Sequence, residues 1–151
     1  MSLPRWIDNR WVDLGARWLL GGVFIYASLD KIMHPAAFAK IVFNYQLLPV
    51  TLSNLFSVSL PWVELFAGLA LVFGVLRSES ALLLSALLVV FIGAISVNLV
   101  RGVDIDCGCF TTSGEGRSIG LLTLSEDLLL LAAGGIALRA ALRSGKVEQA
   151  A

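Results

Sequence analysis

Four long apolar runs, separated by shorter polar segments, dominate the pattern of this chain. Each run approaches the roughly 20 mostly apolar residues that a helix needs to cross a lipid bilayer. Backbone inside lipid must satisfy its own hydrogen bonds, so runs of this length predict α-helices rather than strands. The predicted spans are residues 14–33, 55–76, 80–100 and 119–138.

A shorter segment, residues 34–50, lies between the first two runs and is too short and too polar to span a membrane. Its apolar residues recur at helical spacing, with Pro35 near the start and Pro49 placed to stop the helix. The pattern predicts an interfacial helix on the outer side. The predicted fold class is therefore all-α: an integral membrane four-helix bundle, residues 1–143, with a short interfacial helix between helices 1 and 2. Residues 144–151 are predicted to form a flexible tail.

Composition supports this interpretation, because 58% of the residues are hydrophobic and 15% are charged, against about 45–50% and about 25% in soluble domains. A soluble bundle of buried helices would show a polar stripe on each helix, and residues 80–100 carry no charge. A cleaved signal peptide is disfavoured because no small-x-small site precedes Asp30 and Lys31. A formal net charge of zero gives no basic surface for nucleic acid, so membrane lipid is the predicted surrounding.

The distribution of cations predicts the orientation. With four spans, both termini and the segment after the second span share one side, which holds seven of the eleven Lys and Arg residues. Cytoplasmic segments collect these residues, so both termini are predicted to be cytoplasmic, in a plasma (inner) membrane. The segment between the third and fourth spans is then external.

Both cysteines of the chain lie in that external segment, as Cys107–Gly108–Cys109. Cα atoms two apart in an extended chain are about 6.5–7 Å apart, at the upper limit for a disulfide. A bridge therefore needs a turned backbone, which Gly108 permits. Closing so short a loop removes little entropy from the unfolded chain, so a catalytic thiol–disulfide pair is favoured over a structural one.

Soft-metal binding is the main alternative for the two thiols, because paired thiolates can hold an ion such as Cu(I). Zinc or an iron–sulfur cluster would need four ligands, and the chain has one histidine and no further cysteine. No metal site is predicted.

Polar and ionisable side chains also occur within the apolar runs, where they are costly and commonly functional. All fall in the predicted outer half, beneath the cysteine segment: Asp30, Lys31, Glu64, Asn98, Glu126 and Asp127. Lys31 and Glu64 could form an ion pair that fixes helix packing, or belong to a polar site that supplies protons to the dithiol. Pro61, three residues before Glu64, suggests a helix start capped by Ser59. Four glycines are interpreted as positions of close helix contact: Gly21, Gly22, Gly68 and Gly74.

The motifs "LPWVE" at 60–64 and "DCGCF" at 106–110, within the order "RWLLGGVFIYASLDKIMHP…FIGAISVNLVRG", resemble the MauE family of the wider DoxX-like membrane proteins. The resemblance covers residues 14–138. It implies a four-helix membrane protein linked to disulfide formation, or to the maturation of an extracytoplasmic redox protein in methylamine metabolism. Family members tend to carry arginine at the head of the fourth helix, where this chain reads "LSEDLLLL".

The predicted exchanging residues are Cys107 and Cys109, supported by Gly108 and by the polar residues Asp30, Lys31, Glu64 and Asn98. The predicted partner is a thioredoxin-like or disulfide-rich extracytoplasmic protein. The DoxX-like connection implies a membrane quinone as electron acceptor, although no quinone motif is evident. Thiol–disulfide oxidoreductase activity is thus a hypothesis, and a soft-metal carrier or a scaffold without turnover is the alternative.

Overall fold

The computed structural model describes residues 10–46, 49–101 and 121–148. These residues form five α-helices: α1 Arg10–Met33, α2 Pro35–Asn44, α3 Val50–Phe73, α4 Arg77–Val100 and α5 Leu121–Glu148. The all-α class predicted from the apolar runs is confirmed. The last helix runs through Glu148, and the flexibility predicted for residues 144–151 stays a prediction.

Among the described residues, three helices are long and apolar enough to cross a membrane: Arg10–Met33, Thr51–Phe73 and Arg77–Val100. Their outward surfaces are apolar as well, since Trp18, Phe66 and Val90 each expose 60% or more of their area. Water would penalise so much exposed apolar surface, whereas lipid tails would not. The chain is therefore a multi-pass membrane protein.

The four long helices pack side by side: α1 against α3 and α5, and α4 against α5 and α3. Their shared core consists of small and aliphatic residues with one aromatic ring: Leu20, Phe24, Ala67, Leu71, Ala81, Leu84, Leu88, Leu130 and Ala137. The short helix α2 packs mainly against α3.

The start of α3 differs from the prediction. The helix begins at Val50 with Pro49 as its N-cap, so Pro61 lies inside the helix and Ser59 is not a cap. The Ser59 hydroxyl donates instead to the carbonyl of Leu55, at 2.7 Å. Proline within a membrane helix is tolerated where serine side chains and neighbouring helices satisfy nearby backbone groups. Similarly, α2 ends at Asn44 rather than at Pro49, and Gln46 follows with a positive φ of 50°.

Two of the four glycines lie where α1 and α3 come close together. A Cβ on Gly21 would lie 2.9 Å from the carbonyl oxygen of Gly68, and one on Gly68 would lie 3.1 Å from that of Gly21. In the described part of the chain Gly22 has no such neighbour within 4 Å, so the prediction of close helix contact at Gly22 is wrong there. Gly74 ends α3 with φ 78°, a left-handed conformation that glycine adopts without a Cβ penalty.

A buried arginine closes the same end of α3. The Arg17 guanidinium donates from Nε and Nη2 to the carbonyl oxygen of Leu71, at 3.1 and 2.9 Å, and from Nη2 to that of Val72 at 3.3 Å. These carbonyls belong to the last turn of α3, where partners within the helix run out, and that of Leu71 also accepts from the Gly74 N–H at 3.3 Å. Arg17 therefore joins the beginning of α1 to the end of α3.

Candidate functional site

A buried ion pair lies near the opposite end of these helices. The Lys31 ammonium of α1 donates to both carboxylate oxygens of Glu64 on α3, at 2.8 Å to Oε2 and 3.0 Å to Oε1. The side chains are 2% and 0% exposed. Both groups are removed from water, so each depends on the other for charge compensation. The structure thus brings together Lys31 and Glu64, the two charged residues for which the sequence suggested an ion pair.

Two phenylalanine rings complete the surroundings of the ammonium. Nζ of Lys31 lies 5.1 Å from the ring centroid of Phe38 on α2 and 5.3 Å from that of Phe91 on α4. Both distances lie within the roughly 6 Å over which a ring face attracts a cation. Lys31 is therefore held by three helices, two of which contribute only aromatic faces. Phe38 and Phe91 could not be assigned to the site from the sequence, because apolar residues do not stand out in an apolar segment.

Asp127 on α5 brings a second carboxylate to this pair. It is 1% exposed, and its Oδ2 has no hydrogen-bond donor within reach in the described part of the chain. Asp127, Lys31 and Glu64 together line a small cavity of about 20 Å³, whose walls are otherwise apolar or aromatic. The cavity is large enough for a single water molecule, which needs at least about 10–15 Å³ on the same measure.

Tyr45, just after α2, is another member of this region that the sequence analysis did not assign. It is 7% exposed and packs with Ile95 of α4. Burial raises the pKa of Tyr45 to about 12. The phenol therefore keeps its proton at physiological pH and is neutral.

Asn98 and Asp30 lie around this centre without contacting the ion pair through a described hydrogen bond. Asn98 is 1% exposed, and its side-chain amide donates to the carbonyl of Ala94 at 2.9 Å. Asp30 is half-buried and lies 3.4 Å from Nδ1 of His34. Glu126, also half-buried, precedes Asp127 on α5.

A larger apolar cavity, of about 220 Å³, lies between α2, α3 and α4. Phe38 and Phe91, whose rings lie close to the Lys31 ammonium, also line this cavity, and Tyr45 is the one residue among those lining it that has a polar side-chain group. The cavity and the surroundings of the buried ion pair therefore share these two aromatic residues.

Cys107, Gly108 and Cys109 lie outside the described residues. Their segment, 102–120, joins the end of α4 to the start of α5. Asn98 is three residues from Arg101, and Asp127 is six residues from Leu121, the described residues on either side of that segment. At 1.5 Å per residue, both lie within about 10 Å of these helix ends. The buried polar residues thus lie toward the ends of α4 and α5 that this segment connects in the chain.

Comparison with known proteins gives a consistent family assignment. The family model described as methylamine utilisation protein MauE matches residues 9–140. Proteins named methylamine utilization protein MauE are 35% identical to this chain over 117 residues in Paracoccus denitrificans, 38% over 112 residues in Methylorubrum extorquens, and 37% over 125 residues in Methylophilus methylotrophus. The matches cover 77%, 74% and 82% of this chain, and 62%, 60% and 66% of the respective relatives.

The chain therefore spans somewhat less than two thirds of the length of these relatives. No solved structure matches it. The family match includes all the described helices up to residue 140 and the whole cysteine segment. The resemblance inferred from the motifs is confirmed: the chain belongs to the MauE family.

Proposed function

We propose that this chain exchanges disulfides with an extracytoplasmic protein through Cys107 and Cys109. The observation that carries the proposal is the position of the two cysteines, separated by one glycine, in the segment that joins α4 to α5. The buried Lys31–Glu64 pair lies toward the same end of the helices. A dithiol at a membrane surface, above buried ionisable groups, suits chemistry that moves electrons and protons together.

The proposed membrane arrangement uses α1, α3, α4 and α5 as four spans, with α2 at the outer interface. For α5, support comes from Leu128 and Leu129, which are 50% and 71% exposed on the side away from the core. The cation distribution supports cytoplasmic termini and an external cysteine segment. This arrangement would place the thiols on the side of the membrane where disulfides persist.

The proposed exchange conserves electrons and protons. A thiolate of the partner attacks one sulfur of the Cys107–Cys109 disulfide, so that bond breaks and a mixed disulfide forms while the other cysteine leaves as a thiolate. The second partner thiolate then attacks the mixed disulfide, which completes the partner's disulfide. The two cysteines of this chain end as thiols and take up the two protons that the partner thiols lost. Starting from the reduced pair, the same steps run in reverse.

The names of the relatives support a role in one pathway. They are called methylamine utilization proteins, and we propose the corresponding role for this chain. Its partner would be a disulfide-rich or thioredoxin-like extracytoplasmic protein whose maturation requires disulfide formation.

The apolar cavity fits the ring of a membrane quinone, the electron acceptor implied by the DoxX-like resemblance. Phe38, Phe91 and Tyr45 would hold such a ring, because two aromatic faces and one hydroxyl line a cavity of about 220 Å³. A bound quinone would accept two electrons and two protons. Val90, which lines the cavity, is 64% exposed on the outward surface of α4.

Trapping of a mixed disulfide tests the proposed function. Cys109→Ser leaves Cys107 without its resolving thiol, so a covalent complex with the partner should accumulate in native membranes and disappear on reduction. Cys107→Ser is the matched variant, and the double variant is the control for capture through other residues. Absence of a reducible adduct from both single variants would contradict exchange, and wild-type chain that instead holds Cu(I) in a stable complex would support the metal alternative.

A further inference from the structure

The buried group of Lys31, Glu64 and Asp127 contains two carboxylates but only one ammonium. Lys31 already contacts both oxygens of Glu64, so those two charges compensate each other. Asp127 lines the same cavity, is 1% exposed, and its Oδ2 lacks a donor among the described residues. An ionised Asp127 would therefore give three neighbouring groups a net charge of −1 in a region with little access to water.

Among the described residues, no further cation acts on Asp127. The charged groups that act on it are Lys31 from α1, which is shared with Glu64, and Glu126 from α5, which has the same sign. Tyr45, after α2, remains a neutral phenol. The α4 residues in the cavity wall are Leu88 and Phe91, which carry no charge.

Two ligands could neutralise such a carboxylate: a proton or a small metal cation. A metal cation in this cavity would lie beside the Lys31 ammonium, which repels it. A hard cation would also need about six oxygen ligands, and the cavity of about 20 Å³ has room for one water and only two carboxylates in its wall. A proton avoids both problems, because a buried carboxylate without a counter-ion becomes neutral at far lower energy than it can remain charged.

We propose that Asp127 is a proton-binding site: a neutral carboxylic acid at physiological pH that shares one water molecule with the Lys31–Glu64 pair. The acid donates its proton to the water, and the water donates to a Glu64 oxygen, so the unpartnered Oδ2 becomes one end of a short hydrogen-bonded chain. Water in such cavities commonly makes two to four bonds to polar groups, and the three side chains provide them. The proton can then pass between the two carboxyl groups without either one facing lipid.

This site stands apart from the proposed cysteine chemistry. Its proton binding follows from the described residues of α1, α3 and α5 alone. Only its use as an acceptor of protons released by thiol oxidation rests on the proposed function. A measurement of protonation therefore tests the site, whatever the cysteines do.

Infrared spectroscopy of the full chain in lipid nanodiscs gives a direct test. We expect the carbonyl stretch of a protonated carboxylic acid at neutral pH, with a shift in D₂O. Incorporation of aspartate labelled with ¹³C at the side-chain carboxyl should shift the band. Asp127→Asn should abolish it, whereas the neighbouring substitution Glu126→Gln should leave it. Exchange into H₂¹⁸O should shift one O–H band of bound water in the wild type, and this band should be missing or displaced in Asp127→Asn.

Several results would overturn the proposal. One is the absence of a carboxylic acid band from the wild type at neutral pH; another is a band that labelled aspartate does not shift or that survives Asp127→Asn. Loss of the band on addition of sodium would assign the cavity to a cation instead. If Asp127→Asn does not fold, labelled wild type still decides between aspartate and glutamate, and Asp13→Asn and Asp30→Asn must retain the band.

Discussion

The side chains of Lys31 and Glu64 meet in a two-point contact, 2.8 and 3.0 Å long, although 33 residues separate them in the chain. The contact joins α1 to α3 about three turns of α1 beyond the close approach of Gly21 and Gly68. The interface between α1 and α3 is therefore defined at two positions. The glycines allow the two backbones to come close together, and the Lys31–Glu64 pair determines which residues lie opposite each other.

Breaking this pair should destabilise the protein strongly. We expect Glu64→Ala to lower the free energy of unfolding by about 3–5 kcal/mol, because Lys31 would remain buried without a counter-charge. The double variant Lys31→Met/Glu64→Leu should lose much less free energy of unfolding than Lys31→Met and Glu64→Leu lose in sum as single variants. In the double variant no charge remains unpaired. Unfolding in lipid or detergent micelles gives the free energies, with half-buried Asp30→Asn as the control. Strict additivity of the two losses would contradict the coupling.

Adjacent glycines on α1 should respond differently to the same substitution. Gly21→Ala would place a Cβ 2.6 Å from Cγ2 of Val72 and 2.9 Å from the carbonyl oxygen of Gly68. The resulting overpacking should lower the free energy of unfolding by about 1–3 kcal/mol. Gly22→Ala meets nothing within 4 Å, so it should be neutral or stabilise by up to about 1 kcal/mol through its higher helix propensity. Equal thermal midpoints for the two variants would show that α1 and α3 are not in close contact at Gly21.

The buried Arg17 should matter more than Arg77, although both donate to carbonyls at the end of α3. Arg17 is 6% exposed and contacts Leu71 and Val72, whereas Arg77 is exposed and bonds the Gly74 carbonyl at 3.2 Å. Arg17→Ala should lower the free energy of unfolding by about 1.5–3 kcal/mol, the range for hydrogen bonds to a charged group. Arg77→Ala should change it by less than about 0.5 kcal/mol. Similar losses from both would refute a special role of Arg17.

Sequence pattern was sufficient to predict the helical class and the Lys31–Glu64 pairing. Long apolar runs leave few structural solutions in lipid, and two opposite charges within such runs have few other partners. The roles of Arg17 and Tyr45 could not be predicted, because the Arg17 donors bind backbone carbonyls of another helix and Tyr45 depends on how α2 packs. Neither relationship leaves a periodic trace in the sequence.

The helix boundaries around prolines were the least predictable feature. Pro61 fits the first turn of a helix by local preference, yet α3 continues through it from Val50. The Ser57 hydroxyl donates to the carbonyl of Ser53 at 2.6 Å, so this stretch is held by side-chain as well as backbone bonds. Only the packed neighbours of α3 decide that a proline in the middle is tolerated.

The orientation is open to chemical labelling. The seven-to-four distribution of Lys and Arg predicts cytoplasmic termini and an external cysteine segment. A membrane-impermeant thiol reagent, applied to intact cells after mild reduction, should label the wild type but not Cys107→Ser/Cys109→Ser. Labelling that requires cell lysis would reverse the topology and place the thiols in a reducing compartment.

The redox equilibrium of Cys107 and Cys109 tests the central claim most directly. The purified chain in nanodiscs is equilibrated with a series of dithiol/disulfide buffers, and its reduced fraction and exchange rate are compared with those of Gly108→Val and Ile105→Val. The account predicts a reversible two-electron transition for the wild type. Ile105→Val should preserve it, and Gly108→Val should shift its potential and slow exchange, because a β-branched residue resists the turn that a bridge across one residue requires. A pair that forms no intramolecular disulfide, or values unchanged by Gly108→Val, would contradict the account.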